Sequence, residues 1–387
     1  MGAGFNGFLL SGESVGLDGC ATGGLVRRRL ADKLGVCSRK VRLLNMVNSN
    51  ELLSDEEVTT DLQVVLLEHS RVATASEDNC VRVWNADTGA LEFTIAGCCG
   101  ERWHVSPCVA WTPDGSLIAT SFADIVKVWN AQTRVCDYNM SRFDHAVSSL
   151  LFSPDGRRLA IAFEDGYIHL RTLDSGVCVT VWACGPVRCM SFAPDGSRIA
   201  TSLALCCVPL LTTTLGVCEH RNVPYVPVWD TVSGDCVFRV PLRENRRTSG
   251  FEQVSVCFSG DGERVAITDP VCDVSIWNLV RDVCIAILSG HSKAINFVCF
   301  SKGGLRVASA CVDRTARIWH ADTGVCEHIL FVDNCYLNTV RFSADDRRLV
   351  SSCSDGSARI WNVHTGECEV LLIGHGKEVT DAAFQFS

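Results

Sequence analysis

Gly290-His291-Ser-Lys-Ala294-Ile-Asn-Phe-Val-Cys-Phe300-Ser-Lys-Gly-Gly304-Leu-Arg306-Val-Ala-Ser309-Ala-Cys-Val-Asp313-Arg-Thr-Ala316-Arg-Ile-Trp319-His-Ala-Asp-Thr323-Gly324-Val-Cys326 is the stretch on which the reading of the chain turns. Ala294 to Phe300 alternates in polarity and reads as a strand, and Ser301 to Gly304 reads as a turn. Arg306 to Ala310 is a second strand and Ala316 to Trp319 a third. Thr323-Gly324 then reverses the chain into a fourth, Cys326 to Phe331. Four short antiparallel strands in about 42 residues make one blade of a radial β-structure. Such a sheet cannot cover both of its own faces, so copies must stack.

Copies lie on both sides of it. Tryptophans closing a β-rich run stand at positions 84, 129, 229, 277, 319 and 361. The wide interval between 129 and 229 holds a degenerate copy with Arg171 at the Trp position. Turns keep step: Thr112-Pro-Asp-Gly115, Ser153-Pro-Asp-Gly156, Ala193-Pro-Asp-Gly196, Ser259-Gly-Asp-Gly262 and Ser343-Ala-Asp-Asp346. Proline presets φ and glycine accepts positive φ, which suits a tight turn.

These residues resemble the WD-repeat family over roughly 69–387. The resemblance implies a buried hydrogen-bonded set of His291, Ser309, Asp313 and Trp319 in the quoted copy. The first copy has Thr74, Asp78 and Trp84 but no preceding Gly-His. Gly374-His375 lies near the other end and is followed by the strand Val379 to Phe384. The expectation is that this strand returns to complete the first blade, giving His375, Thr74, Asp78 and Trp84 as a second set and closing seven blades. The rival places Asp61 to Leu67 as the first blade's inner strand. The copy at 143–183 carries Ile161 where the hydroxyl belongs, and the copies at 184–242 and 243–290 lack the His and a clear Asp.

Residues 1–67 do not repeat. Two short strands, a helix-patterned Leu25 to Leu34 ended by Gly35, and strands at Lys40 to Leu44 and Leu62 to Leu66 follow in order. This order resembles the ubiquitin-like β-grasp family, a small α+β domain. The resemblance implies a protein-binding patch at Leu44 and Val65. The fold expected is thus mainly β: a ubiquitin-like domain over 1–67, then a seven-bladed propeller over 68–387, closed by the C-terminal strand.

A formal charge of −9 argues against general affinity for nucleic acid. No apolar run is long enough for a membrane helix. Met1-Gly-Ala-Gly-Phe-Asn6 lacks a secretory pattern, so an intracellular protein, cytoplasmic or nuclear, is expected. Of 23 cysteines, Cys136, Cys178, Cys236, Cys284, Cys326 and Cys368 recur at the opening of the fourth strand. They read as core filling rather than as a disulfide framework. With no C-x-x-C, no metal is expected, and no cofactor. Gly2 to Gly7 and Gly12 to Gly16 imitate a dinucleotide loop and a nucleophile elbow, but neither follows a strand and leads into a helix.

No nucleophile–base pair is visible, so the reading is a non-catalytic scaffold for protein partners with no small-molecule substrate. Arg243, Arg246 and Arg247, beside an apolar insertion at 204–224, form a candidate grip for an acidic or phosphorylated peptide, with Trp103 as an aromatic anchor. The N-terminal resemblance suggests a link to the ubiquitin system. The alternative is a substrate-recognition subunit of a ubiquitin ligase. It is weakened because Trp84, Trp129, Trp319 and Trp361 lack a following Asp, and Trp229-Asp230-Thr-Val232 lacks the basic residue that the family's docking box needs.

Overall fold

The computed structural model describes residues 70–97, 106–140, 143–183, 186–202, 225–242, 254–269 and 272–385, together with four strands nearer the N-terminus. The chain divides into two compact units, Met1–Ser70 and Arg71–Ser387. In the first unit Asn6–Leu9 pairs antiparallel with Ser14–Gly16 and parallel with Leu62–Leu66, which pairs antiparallel with Val41–Asn45. The helix expected at Leu25 to Leu34 lies outside the described residues. Because Leu62–Leu66 is taken up in this sheet, the rival reading of Asp61 to Leu67 as a blade strand does not hold.

The second unit is a seven-bladed propeller. Among the described residues it holds seven four-stranded antiparallel sheets. Six take their strands consecutively from the chain. The seventh, blade 1, takes its innermost strand, Val379–Phe384, from the far end and pairs it with Arg71–Ser76, Val379 opposite Ser76 and Phe384 opposite Val72. Each innermost strand packs on that of the next blade. The circuit ends where Val379–Phe384 meets Val109–Trp111 of blade 2.

Burial falls outward along each blade. The second strand, such as Arg306–Cys311, is buried on both faces after its first residue, since blades cover it from either side. The outermost strand, such as Cys326–Phe331, buries little beyond one leucine. Between third and outermost strands a register shift falls at the Trp position, so Trp319 faces Cys326 across a bulge.

The turns after the innermost strands lock neighbouring blades. Gly196, Gly262 and Gly304 each hold a φ near +70°, and each offers its carbonyl to an arginine of the preceding blade. Arg158 donates to Gly196 at 2.7 Å, Arg198 to Gly262 at 3.0 Å and Arg264 to Gly304 at 3.0 Å. The same guanidiniums lie over Phe192, Phe258 and Phe300 of those next blades. In blade 7 Asp346 replaces the turn glycine, keeps a φ of 56°, and accepts the amides of Lys302 and Gly303 in blade 6, both at 2.7 Å.

Candidate partner-binding surfaces and the polar clusters behind them

In blade 6, His291 enters from the loop before the innermost strand and meets the second and third strands. Trp319 Nε1 donates to Ser309 Oγ at 2.9 Å, and Ser309 Oγ lies 2.7 Å from His291 Nε2. His291 Nδ1 lies 2.8 Å from Asp313, whose carboxylate also accepts the Thr315 hydroxyl at 2.6 Å and the Ser292 amide at 3.1 Å. The hydrogen bonds thus run from Trp through Ser and His to Asp as the final acceptor, and every buried polar atom of the set has a partner. Burial lowers the His291 pKa against the pull of Asp313. Burial alone would raise Asp313, yet bonds from Thr315, His291 and the Ser292 amide hold it well below the usual carboxylate range.

Blade 1 repeats the arrangement with residues from both ends of the unit. His375 Nε2 lies 2.7 Å from Thr74 Oγ1, which accepts Trp84 Nε1 at 2.8 Å. His375 Nδ1 faces Asp78 at 3.1 Å, and Arg82 adds an ion pair to Asp78 at 2.6 Å. Burial again works upward on Asp78, but Arg82, the Gly376 amide and His375 bring it to about 2.

The other blades keep only parts. Trp129 bonds Thr120 and Trp229 bonds Thr201, each at 3.0 Å, and Trp361 bonds Ser351 at 2.9 Å. Blade 3, with Ile161 and Arg171, has neither hydroxyl nor indole there; Arg171 stands opposite Leu159 and Cys178, as Trp319 stands opposite Val307 and Cys326. Blade 5 holds a carboxylate that the spacing did not mark: Asp269, buried, accepts the Ser275 hydroxyl. It stands where blade 6 has Cys311, two positions before the usual Asp.

None of this is poised for catalysis. Both nitrogens of His291 are committed, which leaves no lone pair for a metal although Cys311 and Asp313 lie close by. Along the innermost strands, Arg341 pairs with Asp381 at 3.2 Å, and Asp381 also accepts the Val109 amide at 3.2 Å. The nearby thiols are protonated: burial pushes Cys108 up to about 12 and also raises Cys189, Cys257 and Cys299. Among the described residues no nucleophile meets a free base.

Two expectations about surface residues need revision. Cys178, Cys284 and Cys368 are exposed and Cys136, Cys236 and Cys326 only partly buried, so they do not fill the core. They open the outermost strand, which no further blade strand covers. Five of the six thiols, all but Cys178, face the bulge, and in these the sulfur lies near the backbone oxygen two residues on, at 3.4–3.6 Å. Sequence reading also passed over the apolar residues of those strands. Ile285 and Ile287 in blade 5, Ile329 and Phe331 in blade 6, and Leu371 and Ile373 in blade 7 are 39–69% exposed. Their signal was present: apolar residues at alternate positions of three successive outer strands.

Arg243, Arg246, Arg247 and Trp103 lie outside the described residues, as does the insertion at 204–224. Leu44 and Val65 lie on paired strands, Leu44 opposite Gln63 and Val65 opposite Arg42. A mixed polar groove of about 480 Å³ between the turns of blades 2 and 3 is lined by Asp114, Asp155, Arg157 and Asp174. No helix among the described residues is long and apolar enough to cross a membrane.

Comparison with known proteins follows the same repeats. The model "WD domain, G-beta repeat" matches residues 63–85, 101–130, 282–320 and 324–362. "Anaphase-promoting complex subunit 4 WD40 domain" matches 125–195. The chain is 25% identical over 59% of its length to a WD repeat-containing protein WDS homolog of Arabidopsis thaliana. It is 28% identical over 30% of its length to mouse (Mus musculus) WD repeat-containing protein 1. It is 29% identical over 28% of its length to nuclear distribution protein nudF 1 of Talaromyces marneffei. These matches span 40%, 19% and 24% of the relatives' own lengths.

Proposed function

We propose that this chain, which belongs to the WD-repeat β-propeller family, is a non-catalytic scaffold that gathers protein partners on a rigid ring. The observation that carries the reading is the outer circumference of blades 5 to 7, where six large apolar side chains stand in solvent. Exposed apolar groups of this kind, repeated on adjacent elements, are a mark of protein-binding surfaces. The histidines and aspartates that invite a catalytic reading are spent inside blades 1 and 6.

Two finer readings belong to this proposal. Arg243, Arg246 and Arg247 supply charge for an acidic or phosphorylated peptide, with Trp103 as a further, aromatic anchor. The N-terminal module links the scaffold to the ubiquitin system through Leu44 and Val65. Its support is the β-grasp order of strands, in which Asn6–Leu9 lies parallel to Leu62–Leu66 between two antiparallel neighbours. The alternative, a ligase substrate receptor, has less support, because the Asp230 carboxylate is occupied by its own turn, accepting the amides of Val232 and Ser233 at 2.8 Å.

Affinity capture from the source cell tests the set, using the full chain and three double variants: Phe331→Asp/Ile373→Asp, Arg246→Glu/Arg247→Glu and Leu44→Glu/Val65→Glu. Each is expected to lose its own subset of partners, ubiquitin-pathway proteins in the last case. An identical partner list for all four proteins would overturn the reading.

A further inference from the structure

Blade 7 lacks the histidine of blades 1 and 6, and something else occupies its chemistry. Asp333 stands at the His291 position, Cys335 at that of Lys293 and Cys353 at that of Cys311. Asp355, the blade's tetrad carboxylate, is met by Arg359 at 3.1 Å and by the Ser357 hydroxyl at 2.6 Å. The same guanidinium donates from Nη1 to Cys353 Sγ at 2.8 Å and lies 3.8 Å from Cys335 Sγ. Both sulfurs and a carboxylate oxygen of Asp355 lie within 4.8 Å of one another.

We propose that Cys335 and Cys353 form a redox-active dithiol, a modification site that reacts with hydroperoxides and closes as an intrachain disulfide. The backbone already holds the two in register. The Tyr336 carbonyl accepts the Ser354 amide at 3.0 Å, and the Tyr336 amide donates to Ser354 Oγ at 3.0 Å, so the cysteines flank a pinned pair of residues. Closing the bond then needs side-chain rotation more than backbone travel. Access comes through the loop. Cys335 is buried, but Asp333, Asn334 and Tyr336 around it are exposed, so a molecule as small as a peroxide has a short path.

The electrostatics favour a nucleophile over a metal. A cation would have to enter beside a guanidinium that already touches both sulfurs. That same guanidinium stabilises a thiolate. The Cys353 S–H, shared with the Cys335 sulfur, and the charge of Arg359 hold the Cys335 thiol below its ordinary range. Cys353 is pushed up by sharing that proton and by burial. Cys335, on the loop between exposed Asn334 and Tyr336, is the sulfur a peroxide reaches first and so the attacking one, and Cys353, fully buried on the second strand, is the resolving one. The Cys335 thiolate takes one oxygen of the hydroperoxide, the O–O bond breaks, and the departing oxide is protonated to water or an alcohol. The Cys353 sulfur then attacks the Cys335 sulfenic acid, an S–S bond forms, an S–O bond breaks and water leaves. Two thiols lose two electrons in all, and the hydroperoxide gains them.

The test is peptide mapping of the full chain after titration with hydrogen peroxide, with remaining thiols alkylated. A Cys335–Cys353 linked peptide, lighter by two hydrogens and restored by a thiol reductant, is the expected product. Cys311, at the matching place in blade 6 without a second thiol, should remain alkylatable at that dose. In Cys353→Ser, Cys335 should accumulate as a sulfenic acid trapped by dimedone. The proposal is overturned if Cys335 and Cys353 still alkylate once the exposed Cys178, Cys284 and Cys368 have oxidised. Linkage of either cysteine to another partner would overturn it equally. The wild-type map decides the matter even if the variant folds poorly.

Discussion

Replacing Ser309 by alanine should expose what the buried polar sets contribute. The hydroxyl is fully buried and serves two partners, accepting from Trp319 Nε1 at 2.9 Å and lying 2.7 Å from His291 Nε2. Its loss strands two polar atoms on side chains that are 1% and 8% exposed. Each stranded group costs about 1–3 kcal/mol, and some relaxation around the small void brings the expected total to roughly 2–4 kcal/mol. Two controls separate this from a general packing defect. Ser309→Thr should stay within about 0.5 kcal/mol of wild type, because Thr74 makes the same two bonds in blade 1. Adding Trp319→Phe to Ser309→Ala removes one stranded group along with its partner. The second change should therefore cost less than it does alone, with a coupling of about 1 kcal/mol or more. Urea unfolding followed by tryptophan fluorescence gives the midpoints. Since a ring of blades need not unfold in one step, hydrogen exchange of Arg306–Cys311 localises the effect. Equal midpoints and equal exchange for the alanine and threonine variants would refute the reasoning.

Acid should loosen blade 1 before it reaches the core. Asp78 titrates from an ordinary 3.8 down to about 2 in the fold, so its contribution is complete above pH 4 and is lost as pH falls through about 2. His375 is lowered as well, so the unfolded chain takes up that proton first and stability also declines as pH drops below 6.5. Asp78→Asn should flatten the lower part of an acid-unfolding curve; an unchanged curve would contradict the assignment. Arg198→Ala removes a bond to the Gly262 carbonyl and a cation over Phe258, and should lower the urea midpoint by the equivalent of about 1–2 kcal/mol. Deleting residues 379–387 leaves Arg71–Ser76 as a bare buried-type edge and should make the protein elute as aggregate in size-exclusion chromatography. A monodisperse product would argue that blade 1 stands on three strands.

The architecture was legible because each blade carries its own punctuation. Trp at the end of the third strand and Pro-Asp-Gly after the first fix the repeat length, and the spacing from His375 to Phe384, matching His291 to Phe300, shows the closing strand. What escaped the sequence depends on neighbours in space. Nothing in the 18-position spacing of Cys335 and Cys353 marks them as touching, since the contact needs a diagonal across two strands. Asp269 escaped because it stands two positions from the expected place and its partner is a serine of the next strand. The cysteines of the outermost strands were misread for a related reason: periodicity shows that a position recurs, not how far from the axis it lies. The interblade arginines had a signal in Arg158, Arg198 and Arg264, each opening a second strand, but their acceptor carbonyls belong to the following blade.

Blade 1 also sets a timetable for the chain. Val379 pairs with Ser76, 303 positions earlier. A ribosome adding roughly 5–20 residues per second needs about 15–60 s to bridge that gap. Throughout it the nascent Arg71–Ser76 pairs only with Cys80–Asn85 and its inner edge stays open, although Val72 to Ser76 are all buried in the finished protein. The delay is one of waiting more than of stability, because joining ends across about 300 residues costs only about 2 kcal/mol more than across a tenth of that length. A cell short of chaperones should therefore lose this protein during translation, at a stage when six of its seven blades are already on their way to completion.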